Sequence, residues 1–268
     1  MNHIVVLSAN SNKDERECVE QLSARMPDYN FFFFCACDYK GFFREFRFNR
    51  NLLRATGKSC LVLVSPGVHA ERVASLGKPA VPLPYGVDFE AFNSAAERNL
   101  PFPDDLFNVK NPIIGGHLNH LDLKTVEAAA NARPEWSFVF LNRLSAPHEL
   151  PNNVHFVGEK PKAHLPAYIS RFDVCVNIAN PSLASPEHLY QYLASGKPIV
   201  SSPHPAQALD YADAIYLAGT PEEFIALCKK AIGERDAWKA RRRVEYGRAA
   251  RWDARAAELE RTIKELSV

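Results

Sequence analysis

Charge of one sign is what this chain most plainly lacks: 32 lysines and arginines stand against 31 aspartates and glutamates, a formal net charge of +1. Without a global field, a protein that holds nucleic acid by charge alone is excluded. No apolar run approaches the roughly 20 residues that a membrane-spanning helix needs. Residues Met1 to Ala9 form a strand-like run with no basic stretch and no small-residue cleavage site, so they do not read as a signal peptide. The six cysteines follow no metal-ligand spacing, and Cys35 and Cys37, with one residue between them, are not a Cys-x-x-Cys redox pair. Reduced thiols in a cytoplasmic protein are the expectation. There is no Asp-x-Asp, no short-period repeat and no low-complexity tract, and nothing in the sequence calls for a metal or a cofactor.

What is there is a globular composition, 47% hydrophobic and 24% charged. Its 268 residues suffice for one large domain or two small ones. The first half reads as a strand over His3–Ser8, a helix over Asp14–Arg25, and a strand over Asn30–Ala36. Two more strands follow, over Leu61–Val64 and Ala80–Leu83. Four consecutive phenylalanines in Asn30–Ala36 fit a strand covered on both faces. Residues 93–111 are turn-rich and lead to Pro112, which suits a linker. Beyond it, strands near Ile113, Ser137–Leu141, Val154–Val157, Val174–Ile178, Pro198–Ser201 and Ala214–Leu217 alternate with helices over Leu123–Ala132, Leu165–Ser170, Pro186–Ser195 and Pro221–Ile232. Such alternation implies parallel sheets, hence an α/β fold.

The stretch from Ser185 to Val200 is the most telling. Ser185 suits a helix cap and Pro186 its first turn, while Gly196 and Pro198 end the helix before the apolar strand at Ile199-Val200. A helix begun this way turns free N–H groups and a positive dipole end toward whatever lies in front, which favours phosphate. The same pattern also fits any helix-to-strand unit. Around it stand, in order, the phrase from Val81 to Phe92, then Pro112 to Leu118 with its Gly115-Gly116 pair, Asn153 to Gly158, Leu165 to Ile169 and Phe172 to Val176. From about Leu61 to the C-terminus this succession resembles glycosyltransferases of the GT-B fold, family 4-like, in the teichuronic-acid and glucuronosyl transferase-like branch. The resemblance implies two Rossmann-like lobes with parallel sheets. Residues 1–92 would be an abbreviated acceptor-side lobe and 112–240 the lobe that binds the nucleotide sugar. Residues 241–268 would be a terminal helix returning to the first lobe.

A sugar donor of this kind needs its diphosphate charge met, its ribose hydroxyls bound and its leaving oxygen stabilised. The resemblance implies that Ser185, Pro186, Glu187 and His188 open the helix facing the diphosphate. Arg143 would add a fixed cation, and Gly115 and Gly116 would let the backbone approach the donor. Gly158, Glu159 and Lys160 would meet the nucleobase through their backbone, although Lys160 and Lys162 also fit solvated loop lysines. The glutamate that holds the ribose in such enzymes falls at Gln191, which bonds hydroxyls without charge. The branch's usual lysine falls at His188, whose imidazole would face phosphate in a pH-dependent way. The other acid of the family's pair falls at Leu183, so that pair is absent. For a catalytic base, Asp38 and Asp14 follow the first strands and His117 follows the glycine pair. Each also fits a structural role.

The function implied is transfer of a sugar, hexose or uronate, from a donor that the resemblance makes UDP-linked. The acceptor would be a polysaccharide or lipid-linked glycan, in the cytoplasm or at the inner membrane face. Gln191, the missing acid and the short first lobe favour a second reading, a non-catalytic homologue that binds nucleotide sugar or a partner subunit; an isomerase acting on the donor is a third. The aromatic- and arginine-rich stretch Gly41–Arg50 fits a core-facing segment or an exposed patch for a partner, a lipid-linked acceptor or a second copy. From Lys229 to Lys264 basic residues outnumber acidic ones on a helical pattern marked by Trp238, Val244, Trp252, Leu259 and Ile263. That fits a solvated face with i,i+4 pairs or a surface docked on anionic lipid.

Overall fold

The computed structural model describes residues 2–8, 13–35, 61–64, 80–83, 85–95, 98, 100–117, 121–142, 149–178, 187–203 and 206–266. The chain forms two compact units, one of Met1–Gly86 with Ala250–Val268, the other of Val87–Ala249. Residues 93–111, expected as a linker, thus lie inside the second unit, and the chain re-enters the first at Ala250 rather than at 241.

In the first unit, β1 (Asn2–Ser8), β2 (Tyr29–Cys35), β3 (Leu61–Val64) and β4 (Ala80–Pro82) form a parallel sheet in the order β2-β1-β3-β4. Among the described strands of this sheet, the phenylalanine run therefore lies at an edge. Helix α1 (Lys13–Arg25) contributes Cys18, Leu22 and Met26 to a core with Ile4, Val6, Leu61 and Leu63. The C-terminal helix, Trp252–Leu266, adds Trp252, Ala256, Leu259 and Ile263 to the same core. Their spacing places all four on one stripe of the helix. Gly86 makes room for it, since a Cβ there would lie 2.3 Å from the Trp252 ring. The Arg255 guanidinium donates to the Tyr85 carbonyl at 3.0 Å.

In the second unit, β5 (Ile113–Gly116), β6 (Ser137–Phe140), β7 (Val154–Phe156), β8 (Val174–Asn177), β9 (Ile199–Ser201) and β10 (Tyr216–Leu217) form a parallel sheet in the order β10-β9-β8-β5-β6-β7. The chain winds outward from β5 to β7, returns beside β5 as β8, and winds the other way. This is a doubly wound Rossmann order. The helices of this unit are α2 (Phe89–Asn93), α3 (Leu123–Ala132), α4 (Leu165–Ile169), α5 (Glu187–Ser195), α6 (Pro221–Ile232) and α7 (Ala237–Ala249); the terminal helix Trp252–Leu266 is α8. Asp122 caps α3 through the N–H groups of Lys124 and Thr125, and Thr220 caps α6 through that of Glu223. Val126, Ala129 and Ala130 of α3 and Phe224 and Cys228 of α6 pack on Ile114, Phe138, Phe140, Val174, Val176 and Val200. Gly196 ends α5 at φ +70°. The free cysteines Cys18, Cys175 and Cys228 are buried. No helix among the described residues is long and apolar enough to cross a membrane.

Helix α7 is fastened by a charge. Arg243, 1% exposed, donates to the carbonyls of Gly196 at 3.0 Å and Ala214 at 2.9 Å and pairs with the buried Glu234 carboxylate. Gly247 lets α7 approach α5, because a Cβ there would lie 2.5 Å from the Ala194 backbone. Much of the tail's basic excess is likewise engaged within the chain. Arg242 pairs with Asp213 and Glu245, Lys239 lies over the Tyr216 ring, Arg248 over Phe89, and Lys264 pairs with Glu260. Trp238, read as an apolar mark, is 51% exposed. Removing Arg243 leaves Glu234 buried without its cation and two carbonyls without their donor. Arg243→Ala is expected to lower unfolding stability by about 3–5 kcal/mol in urea melts; a loss below about 1 kcal/mol would refute the fastening role.

Candidate functional site

In a doubly wound sheet, helices leave on opposite sides of two adjacent strands, and a crevice opens at their carboxyl ends. Here those strands are β5 and β8. Asp173 locks their start: its carboxylate accepts from Ile113 N–H at 2.7 Å, and its own N–H donates to the Ile113 carbonyl at 2.8 Å. Gly115 and Gly116 let them close up. A Cβ on Gly115 would stand 2.5 Å from the Phe172 ring, and one on Gly116 would stand 2.6 Å from the Val176 carbonyl oxygen. The space these glycines leave is thus filled by the unit's own packing.

His117 follows directly, and its N–H donates to the Tyr192 hydroxyl of α5 at 2.6 Å. Burial pushes the Tyr192 phenol up, so it stays neutral and serves as an acceptor. The imidazole of His188, second residue of α5, lies against that of His117 with ring centroids 4.3 Å apart and planes tilted by 50°. His188 is 6% exposed. Burial brings its pKa down to about 4; Gln191, one turn on, opposes the shift and Lys162 adds to it. His188 is therefore neutral at physiological pH. At normal geometry neither His188 Nδ1 nor Gln191 Oε1 makes a hydrogen bond within the chain. On the neighbouring strand end, Asn177 donates from Nδ2 to Ser201 Oγ at 3.0 Å, while its buried Oδ1 has no partner. Buried polar groups left open in this way are few in folded proteins, and here three sit on β8 and α5.

The structure brings together Gly116, His117, His188 and Gln191 of the residues singled out in the sequence. Gly158, after β7, has φ +78°, and open space where a Cβ would point. Glu159 beside it is exposed. The Lys160 side chain belongs elsewhere: its Nζ pairs with Asp105 at 2.5 Å, the Tyr168 hydroxyl donates to the same carboxylate at 2.6 Å, and the ammonium lies over the Tyr168 ring. Burial works against the ammonium, yet Asp105 and Tyr168 hold its pKa above the usual lysine value. Glu187 is the first residue of α5 and Asp14 the second of α1, both described through their backbone. Asp38, Arg143, Ser185, Pro186, Leu183 and Gly41–Arg50 lie outside the described residues. Sequence reasoning missed Asn177 and Tyr192. A polar residue closing the apolar run Val174–Val176 was a signal for the first, and nothing distinguished the second from core aromatics. Among the described residues no group of three His, Cys, Asp or Glu side chains could hold a metal ion.

No family model matches the sequence. TuaH of Bacillus subtilis (strain 168), named as a teichuronic acid biosynthesis glycosyltransferase, is 27% identical over 167 residues, 56% of this chain and 41% of that protein. The match thus spans about two-fifths of the length of that relative. Among solved structures, a glycosyltransferase of Rickettsia africae aligns with TM-score 0.65 and 11% identity, over 99% of this chain and 98% of its own. HepE of Anabaena, solved in complex with UDP-glucose, aligns with TM-score 0.63 and 13% identity, over 99% of this chain and 100% of its own. The fold is the α/β GT-B class of these glycosyltransferases, with two Rossmann-like units.

The buried His188 ties stability to acidity. Above its ordinary pKa of 6.5 the ring is neutral folded and unfolded, and pH has no leverage. Between 6.5 and about 4 the unfolded chain takes up a proton that the folded chain refuses, so stability falls as pH falls. The full window amounts to about 3 kcal/mol. Urea melts across it should show that loss for the native chain and not for His188→Gln; equal pH dependence in both would refute the assignment.

Proposed function

We propose that this chain is a glycosyltransferase that moves a hexosyl or uronosyl group from a UDP-linked donor to a hydroxyl of a polysaccharide or lipid-linked acceptor. The observation that carries the reading is the crevice between β5 and β8, where His188, Gln191 and Asn177 present buried polar atoms without partners in the chain. That is where a sheet of this order receives a nucleotide. HepE, of like fold, is described with UDP-glucose bound, and TuaH is named for teichuronic acid synthesis. Both support a nucleotide-sugar donor and a glycan product.

In this reading the chain approaching α5 through Ser185, Pro186 and Glu187 brings the first N–H groups of the helix onto the diphosphate. Those groups and the positive end of the helix stabilise the charge that grows on the leaving oxygen as the glycosidic bond breaks. Arg143 supplies a fixed cation. Gln191 bonds the ribose hydroxyls. The backbone of Gly158, Glu159 and Lys160 receives the base, the Lys160 side chain being committed to Asp105. Gly115 and Gly116 shape the floor. His117, Asp38 and Asp14 are the groups suited to take the acceptor's proton. A lipid-linked acceptor would bring the chain to the inner membrane face, where the exposed Trp238 suits the interface.

Calorimetric titration with UDP and UDP-sugars tests this. Micromolar binding is expected, with Gln191→Ala and Arg143→Ala each weakening it about tenfold, as for the loss of one good hydrogen bond to a charged or multiply bonded ligand. No binding of any nucleotide would sink the donor-site reading.

A further inference from the structure

We propose that the donor's diphosphate enters the crevice together with a proton, which His188 carries as an imidazolium in the complex. The inference rests on the donor-site reading and adds to it the protonation state of the bound form.

The geometry suits a ring that donates from both nitrogens. His188 stands in the first turn of α5, a helix of 9 residues. The side chain is 6% exposed, and its Nδ1 has no partner. Beside the ring lies the Gln191 amide, whose carbonyl favours the charged form. A diphosphate offers only acceptors. A neutral imidazole has one N–H and one acceptor nitrogen. Set between a carbonyl and a phosphate oxygen, it would turn a lone pair toward one of them; with both nitrogens protonated it donates to both.

The surroundings explain why the proton arrives with the ligand and not before. From β5 the facing group is His117, a second imidazole 4.3 Å away. From the turn at Lys162–His164 it is Lys162, whose charge disfavours another cation. On α5 itself stand Gln191 and the neutral Tyr192. No carboxylate whose side chain the structure describes acts on the ring. The free site therefore keeps His188 neutral down to a pH of about 4. Protonation near pH 7 needs a displacement of about three pH units, a thousandfold in proton affinity. One unit of negative charge about 4 Å away, at an intermediate effective dielectric, supplies that much. The diphosphate brings more than one such charge. It binds the imidazolium and offsets both Lys162 and the helix dipole.

The probe is UDP-glucose, whose doubly esterified diphosphate keeps its charge across the range tested. Calorimetry at pH 6, 7 and 8, in buffers of low and high ionisation enthalpy, reads the protons taken up. We expect uptake of up to one proton, with affinity rising up to about tenfold for each unit of falling pH. The sign follows from a ring whose pKa is raised on binding: affinity climbs as pH falls below the complex's pKa and levels off near the free value. In His188→Lys a permanent charge replaces the transient one, so binding should persist without proton uptake or pH slope. Ring nitrogen NMR shifts of histidine in the native chain, with and without UDP-glucose, report the protonation even if the lysine variant fails to fold. UDP-glucose binding with equal affinity at all three pH values and no proton uptake would overturn the proposal while leaving the donor site intact. Uptake that persists in His188→Lys would overturn the assignment to His188. No binding at any pH would overturn the donor-site reading itself.

Discussion

The second unit depends on two missing side chains. At Gly115 and Gly116 the space a Cβ would occupy is taken by the Phe172 ring and the Val176 carbonyl. A larger residue at either place would force apart the two central strands, β5 and β8. Their adjacency makes the sheet doubly wound, and the double winding opens the crevice. It also fixes the height of His117, whose N–H reaches the Tyr192 hydroxyl. A close-packed interior tolerates little extra volume, so the glycines constrain the whole neighbourhood through steric fit.

Around that centre the unit divides its polar groups into those it satisfies and those it leaves open. Asp105, Lys160 and Tyr168 bond one another. Asp173 is spent on the β5 backbone, and Arg243 on Glu234 and two carbonyls. Asn153 donates to the carbonyls of Ala130, Arg133 and Trp136 and closes the end of α3. His188, Gln191 and Asn177 are different: all are buried, and each keeps an atom without a partner in the chain. An open buried acceptor costs on the order of 1–3 kcal/mol unless something occupies it. That several of them gather at the strand ends of the crevice is the physical case for a ligand there.

The departures from the resembled family acquire a consistent sense in this light. Where the family places a carboxylate and a lysine, this chain has Gln191 and His188, so neither position holds a permanent charge. At His188 the ring is neutral in the free chain, and a neutral ring costs less to bury than an ammonium would.

Much of the architecture was legible in the residues. The apolar runs at Ile113, Ser137–Phe140 and Val174–Val176, the helix pattern over Pro221–Ile232 and the stop at Gly196 each follow from local periodicity and backbone preference, which act within a few residues. So did the importance of the glycine pair and of the helix after Ser185. Their partners were not legible. That the glycines make room for Phe172 and Val176 depends on contacts 50 and more residues away in the chain. Arg243, in a run of three arginines, reads like its neighbours until the fold buries it; Lys160 reads as a free loop lysine until Asp105 comes to meet it. His188 could be placed on a helix from sequence, but its neutrality follows from burial and from His117 and Lys162 brought beside it. The sequence by itself determined the order of strands and helices, because periodicity and turn chemistry are local. Only the tertiary structure decided which polar groups are spent on the fold and which are left for a ligand, because desolvation and pairing are set by distant segments packed together.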